Sequence, residues 1–404
     1  MVHVTRRSVT LGLAVTAVAS RTSPCRAQAA APKVFPLEVY QNFVFVKVRV
    51  NGSPPMNFIL DTGASAPFLN ERQATAANVP PKKVHREGNV GTGEETIHLF
   101  EARNVSLKLD NLDLSADSTA VTSFEKLEST IGKRLDGVLG PQIFEHYVVG
   151  LDYGRKVLEL FEPKTFTYSG PGDAIGIELR RHRPFTKARI GMAGAPSIEA
   201  LFVIDIGDSS SLSLHTPFVQ RNRLPRADQQ TIVNFTHGVA GESKELVGRV
   251  RSLELGSFVI DHPVTEFSQA AKGSAADRSY DGAIGGEILS RFRVIFDYGH
   301  RRMILEKSPA FDEPYNWDMS GLALSAHGDG FSVILVDRVF ENSPAAVSDL
   351  RAGDLIETID GQPAGSLTLE QIRKSFRREG NAYALRIRRG DEVFETRLET
   401  RRLI

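Results

Sequence analysis

The feature that most constrains how this 404-residue chain can fold is an internal repeat. One copy runs through Phe58-Ile59-Leu60-Asp61-Thr62-Gly63-Ala64-Ser65 and Leu135-Asp136-Gly137-Val138-Leu139-Gly140, and closes with Gly150-Leu151-Asp152-Tyr153-Gly154. The other runs through Phe202-Val203-Ile204-Asp205-Ile206-Gly207-Asp208-Ser209 and Tyr280-Asp281-Gly282-Ala283-Ile284-Gly285, and closes with Ile295-Phe296-Asp297-Tyr298-Gly299. Asp61 and Asp205 stand 144 positions apart; Asp136 and Asp281, like Asp152 and Asp297, stand 145 apart. Three anchors at nearly one offset imply two equivalent units, each bringing one Asp-x-Gly loop.

Each unit reads as mostly β. Phe43 to Val50 is a strand pattern that ends at the turn signal Asn51-Gly52. Short apolar runs bounded by Gly, Asn and Asp recur about every ten residues, the pattern of sandwiches and barrels. Helical patterning is confined to short stretches near 124–131 and 141–147. Pro309 and Pro314 interrupt a stretch without periodicity, so 309–317 is the expected linker.

The N-terminus carries Arg6-Arg7, then an uncharged stretch from Ser8 to Ser20, then Ala27-Gln28-Ala29. That stretch is 13 residues long, too short for a membrane span of about 20. Residues 1–30 are therefore expected to be a secretory signal, with the Arg pair pointing to twin-arginine export and an ordinary secretory signal as the other option. The implied location is periplasmic or extracellular in a bacterium, with membrane contact only through the signal. Cys25 is the one cysteine and falls inside that segment, which excludes a disulfide scaffold and a Cys-based zinc site.

Composition removes other classes. With 49 Lys plus Arg against 49 Asp plus Glu, the zero net charge argues against nucleic acid as a partner. The ten histidines stand singly, without a His-Glu-x-x-His arrangement, so neither a metal nor a cofactor is expected. No Gly-x-Ser-x-Gly element is present.

Ile-Leu-Asp-Thr-Gly-Ala-Ser followed by Asp-Gly-Val-Leu-Gly resembles the aspartic protease family over about 35–307, and the strand leading to Asn51-Gly52-Ser53-Pro54 is similar to its retropepsin-like branch. The resemblance implies a mainly β, bilobal fold of two β-barrel-like lobes, 31–168 and 169–308. It also implies a catalytic pair, Asp61 and Asp205, that shares one proton and activates a water for peptide hydrolysis. One chain carrying both halves is expected to act as a monomer.

Supporting roles follow from the same resemblance. Thr62 would hydrogen-bond across to the other lobe. Gly63 and Gly207 would allow the tight, close-lying loops, with Ala64 beside them. Gly137 to Gly140 would pass beneath the Asp61 loop, and Gly91-Thr92-Gly93 would tip a hairpin over the cleft.

The second copy departs from the family pattern. Ile206 replaces a hydroxyl residue and cannot make the reciprocal bond. Asp208 replaces Ala, Ser or Thr; it would either stay protonated and donate to the catalytic carboxylate or repel it as a third negative charge. Two readings remain: an exported aspartic endopeptidase, or a catalytically inactive peptide-binding protein of the same fold.

Residues 318–404 resemble a small α+β PDZ domain through Gly321-Leu322-Ala323-Leu324, Ser343-Pro344-Ala345-Ala346, Leu350 to Ile356, Ile359-Asp360-Gly361 and an amphipathic helix around Leu369–Phe376. The resemblance implies capture of a peptide C-terminus. Backbone N–H groups of the 321–324 loop would hold the carboxylate, and Leu369 would select an apolar residue. The alternative is a module that packs against the lobes.

Overall fold

Alternating apolar and polar residues give this chain a mainly β architecture, seen in a computed structural model that describes residues 1, 31–79, 82–83 and 91–404. Apart from Met1, the expected signal segment and its Cys25 lie outside the described residues. Among the described residues no helix is long and apolar enough to cross a membrane.

Two ten-stranded sheets have the same strand order from end to end. In one, the strand Gly137–Leu139 lies between Phe68–Asn70 and Met56–Leu60, parallel to the latter. In the other, Gly282–Ile284 lies between Leu212–Leu214 and Ala195–Ile204, again parallel to the latter. The strand Phe43–Val50 has the expected bounds, and Asn51 and Gly52 beyond it take the positive φ of a tight turn.

A six-stranded sheet joins the two units. Its central strands Val148–Asp152 and Phe292–Asp297 pair antiparallel, with Gly150 opposite Ile295, the residue 145 positions further on. Each repeat thus pairs with its own equivalent, which places a pseudo-two-fold axis through this contact. One continuous apolar core, including Phe58, Phe144, Phe202 and Phe296, extends through both units.

The segment 309–321 has no helix or strand but is pinned to its neighbours. The Arg291 guanidinium lies 3.4 Å over the Tyr315 ring, and Trp317 stacks on Phe340. Residues 322–399 then form a separate sheet with its own core. The helix Leu369–Phe376 opens with a capping box between Thr368 and Gln371 and buries Leu369, Ile372 and Phe376, as its spacing predicts. One expectation is corrected: Leu322, Ala323 and Leu324 belong to the edge strand Leu322–His327, because they pair with Val339, Arg338 and Val336, and are not a loop.

Candidate active site

Each Asp-x-Gly loop follows a strand whose end is fixed by the parallel strand paired beside it. Asp61 N donates to Leu139 O at 3.0 Å and Asp205 N to Ile284 O at 3.0 Å. The Asp-Gly pairs further along pin the same strands. Asp136 Oδ2 accepts from Asn57 N at 2.7 Å, and Asp281 Oδ2 accepts from Leu201 N at 2.8 Å. Gly137 to Leu139 therefore run alongside the strand that leads into Asp61, and Gly140 lies against Ala64 and Ala66 of its loop.

The repeat brings the two loops face to face. A Cβ on Gly63 would lie 2.5 Å from Asp205 Cγ, and one on Gly207 would lie 2.6 Å from Asp61 Oδ1. Each glycine is thus the floor on which the opposite carboxyl rests. Close approach is what requires it, since neither glycine has a positive φ. The Asp61 and Asp205 carboxyl groups lie within hydrogen-bonding reach of one another.

Their environments are unequal. Asp61 Oδ1 accepts from Gly63 N at 2.7 Å and from Ala64 N at 2.8 Å, whereas Asp205 Oδ1 accepts from Gly207 N at 2.8 Å. Burial raises the pKa of both, and at Asp61 the N–H groups of Ala64 and Gly63 oppose it. Asp205 is pushed well above the carboxylate range by burial, then by the charges of Asp61 and Asp208. Two inward N–H groups at Asp61 against one at Asp205 make negative charge less costly on Asp61 than on Asp205.

Thr62 is buried and spans the units: its Oγ1 donates to Ile204 O at 2.7 Å and accepts from Ile206 N at 3.1 Å. Ile206 is wholly buried in the core and, having no hydroxyl, returns no such bond. Asp208 does not donate to Asp205. Its Oδ1 accepts from Ser210 N at 2.8 Å and its Oδ2 from Ser213 Oγ at 3.5 Å. Burial raises the Asp208 pKa, and its charge in turn raises those of Asp61 and Asp205.

The loops open into a cavity of about 610 Å³. The tip of the hairpin formed by Ile232–Gly238 and Gly241–Arg249 overhangs it, with Val239 in the lining. Gly91-Thr92-Gly93, expected at a hairpin tip, is an irregular segment docked on that second-unit hairpin: Ala240 N donates to Thr92 O at 2.9 Å and Glu95 N to Ala240 O at 2.8 Å.

Sequence reasoning missed Glu245 and Glu266, which line the same cavity. A signal was available. In Ser243-Lys244-Glu245-Leu246-Val247 the strand period puts Glu245 on the face of Val247, an acidic residue at an inward position.

The remaining predicted residues, Gly321 to Leu324 and Leu369, lie in the C-terminal module. Gly321 N already donates to Asp318 Oδ2 at 2.6 Å, and Leu322 N to Ser320 Oγ at 3.1 Å. Arg373 Nη2 donates to Leu324 O at 2.8 Å, on the edge strand. The first unit closes over the adjoining helix, where Gln41 N donates to Glu370 Oε1 at 2.7 Å and a Cβ on Gly132 would lie 2.7 Å from Leu369 Cβ.

Residues 46–142 match the family described as aspartyl protease, a span that takes in the Asp61 loop and the Asp136-Gly137 element. No curated protein matches the chain. The matched segment carries an aspartyl protease domain, which supports a peptidase.

Proposed function

We propose that the chain hydrolyses peptide bonds with a water activated between Asp61 and Asp205. The observation that carries this reading is the reciprocal seating of the loops, each carboxyl lying on the opposite loop's glycine at the floor of the cavity. The Asp61 carboxylate takes a proton from the water as it attacks the scissile carbonyl carbon. The protonated Asp205 donates to the carbonyl oxygen. Ile206 removes one of two cross-unit grips, yet Thr62 alone still ties both loops, which favours catalysis over an inactive peptide-binding protein.

On this reading residues 1–30 direct export, 31–168 and 169–308 are the two lobes, and 318–404 is a PDZ-like module joined by 309–317. The module's N–H groups at 321 and 322 are taken and its helix is covered by the first unit, so its role is to dock on the protease body. Mature protein should cleave peptides at acidic to neutral pH, and Asp61→Asn and Asp205→Asn should each abolish cleavage. Cleavage that survives either substitution, or a wild type that cuts nothing, sinks the proposal.

A further inference from the structure

The two sides of the cavity differ chemically although the sheets behind them are equivalent. Phe68 pairs with Val138 and Ala120 in the first unit; Ser213 pairs with Ala283 and Glu266 in the second. Ser213 therefore stands where Phe68 stands, and Glu266 where Ala120 stands. The first-unit wall is apolar, with Phe43, Ile59, Phe68 and Leu135. The second-unit wall carries hydroxyls and carboxylates, and its two arginines, Arg181 and Arg183, make no ion pair with Glu245 or Glu266 among the described residues.

Those carboxylates are poorly matched from within. Ser213 Oγ donates to Glu266 Oε2 at 2.7 Å, and Asn234 Nδ2 to Glu245 Oε1 at 2.7 Å. Among the described residues no Lys or Arg pairs with either. Glu245 is 3% exposed and is pushed up to about 8 by burial; Glu266 is raised well above the usual range by burial and then by Glu245 and Asp208. A buried carboxylate without a cation is expensive to ionise.

A separate observation points to an occupant. Ser243 is 3% exposed and lines the cavity two residues from Glu245, on the same strand face. Among the described residues its hydroxyl makes no hydrogen bond. A cavity-lining hydroxyl with no hydrogen bond of its own, on the same strand face as an uncompensated carboxylate, is what an ammonium or guanidinium donor would meet.

We propose that Glu245 and Glu266, with Ser213 and Ser243, form a subsite for a cationic side chain, so that the cleft selects peptides with Lys or Arg on the second-unit side of the scissile bond and an apolar residue on the first. This rests on the peptidase reading above. The entering cation supplies the missing counter-charge, and the acids ionise to meet it.

The test uses octapeptides with a non-hydrolysable hydroxyethylene link, carrying Phe on one side of the link and either Lys or norleucine on the other, in both orders. Wild-type mature protein should bind the Lys peptide about tenfold or more tightly than its norleucine twin in one order. The Glu245→Gln/Glu266→Gln variant should bring that ratio near one. Equal or better binding of norleucine in both orders overturns the subsite, and so does a ratio unchanged in the double variant. Hydrolysis of the corresponding amide peptides is scored separately. Hydrolysis with no Lys preference overturns the subsite alone. Lys-selective binding with no hydrolysis overturns the peptidase reading and leaves the subsite standing.

Discussion

Replacing Gly63 by alanine adds one methyl group at the place where the two loops touch. The new Cβ would lie 2.5 Å from Asp205 Cγ, about 0.9 Å inside the 3.4 Å at which ordinary contact begins. Neither partner can yield cheaply: the Asp205 carboxyl is held by Gly207 N, and Gly63 N is committed to Asp61 Oδ1. The pair must open by nearly an ångström, and misplacement of that size costs about 10²-fold in rate. In free energy that is about 2.7 kcal/mol of transition-state stabilisation. Overpacking should lower stability by about 1–3 kcal/mol as well, read from thermal unfolding.

The pH profile separates this effect from general damage. Burial and then the Asp61 charge hold the Asp205 proton, so moving the carboxyls apart weakens the second cause and lets the proton leave earlier. The alkaline limb of kcat/KM on a fluorogenic peptide should therefore move to lower pH. Gly176→Ala is the control, since a Cβ there meets nothing within 4 Å. A Gly63→Ala enzyme within about threefold of wild type, with an unmoved profile, would refute the reciprocal-floor account.

Thr62→Val keeps the shape but strands the Ile206 N–H and the Ile204 carbonyl in the core; at about 1–3 kcal/mol for each, urea unfolding should register a loss of about 2–6 kcal/mol. A change below about 0.5 kcal/mol would show that the bond does not brace the loops. Asp208→Asn removes a negative charge that raises both dyad carboxyls, so the shared proton should be lost at lower pH and the alkaline limb of the rate profile should shift down. An upward shift would contradict the electrostatics.

Arg338 reaches from the C-terminal module to the hairpin over the cleft, pairing with Glu242 at 2.9 Å and lying 3.6 Å over Phe235. Arg338→Ala should loosen that hairpin by about 1 kcal/mol, visible as faster amide exchange across 232–249. Unchanged exchange would mean the module does not brace it.

Much of the scaffold was legible because it is written in local periodicity. The strand Phe43–Val50, its Asn51-Gly52 turn and the buried face of Leu369–Phe376 all follow from alternation and spacing. The 321–324 stretch misled because a strand and a loop share short apolar composition, and pairing with Val336–Val339 decides between them. For Asp208 the sequence left two roles open, donor to Asp205 or third negative charge; its orientation toward Ser210 and Ser213, which depends on the sheet register, removes the first and leaves the second.

The sequence by itself determined the two-fold plan, because a constant offset of 144 to 145 between Asp-Gly elements permits only equivalent units. It also determined that Asp61 and Asp205 are the paired groups. Tertiary structure alone decided how unlike the two carboxyl environments are, because that depends on how many N–H groups each loop turns inward. It also decided that Glu245 and Glu266 share a wall with Asp208, from strands that lie side by side in space yet apart in the chain. Burial and proximity are properties of the packed sheets, and no window of sequence contains them.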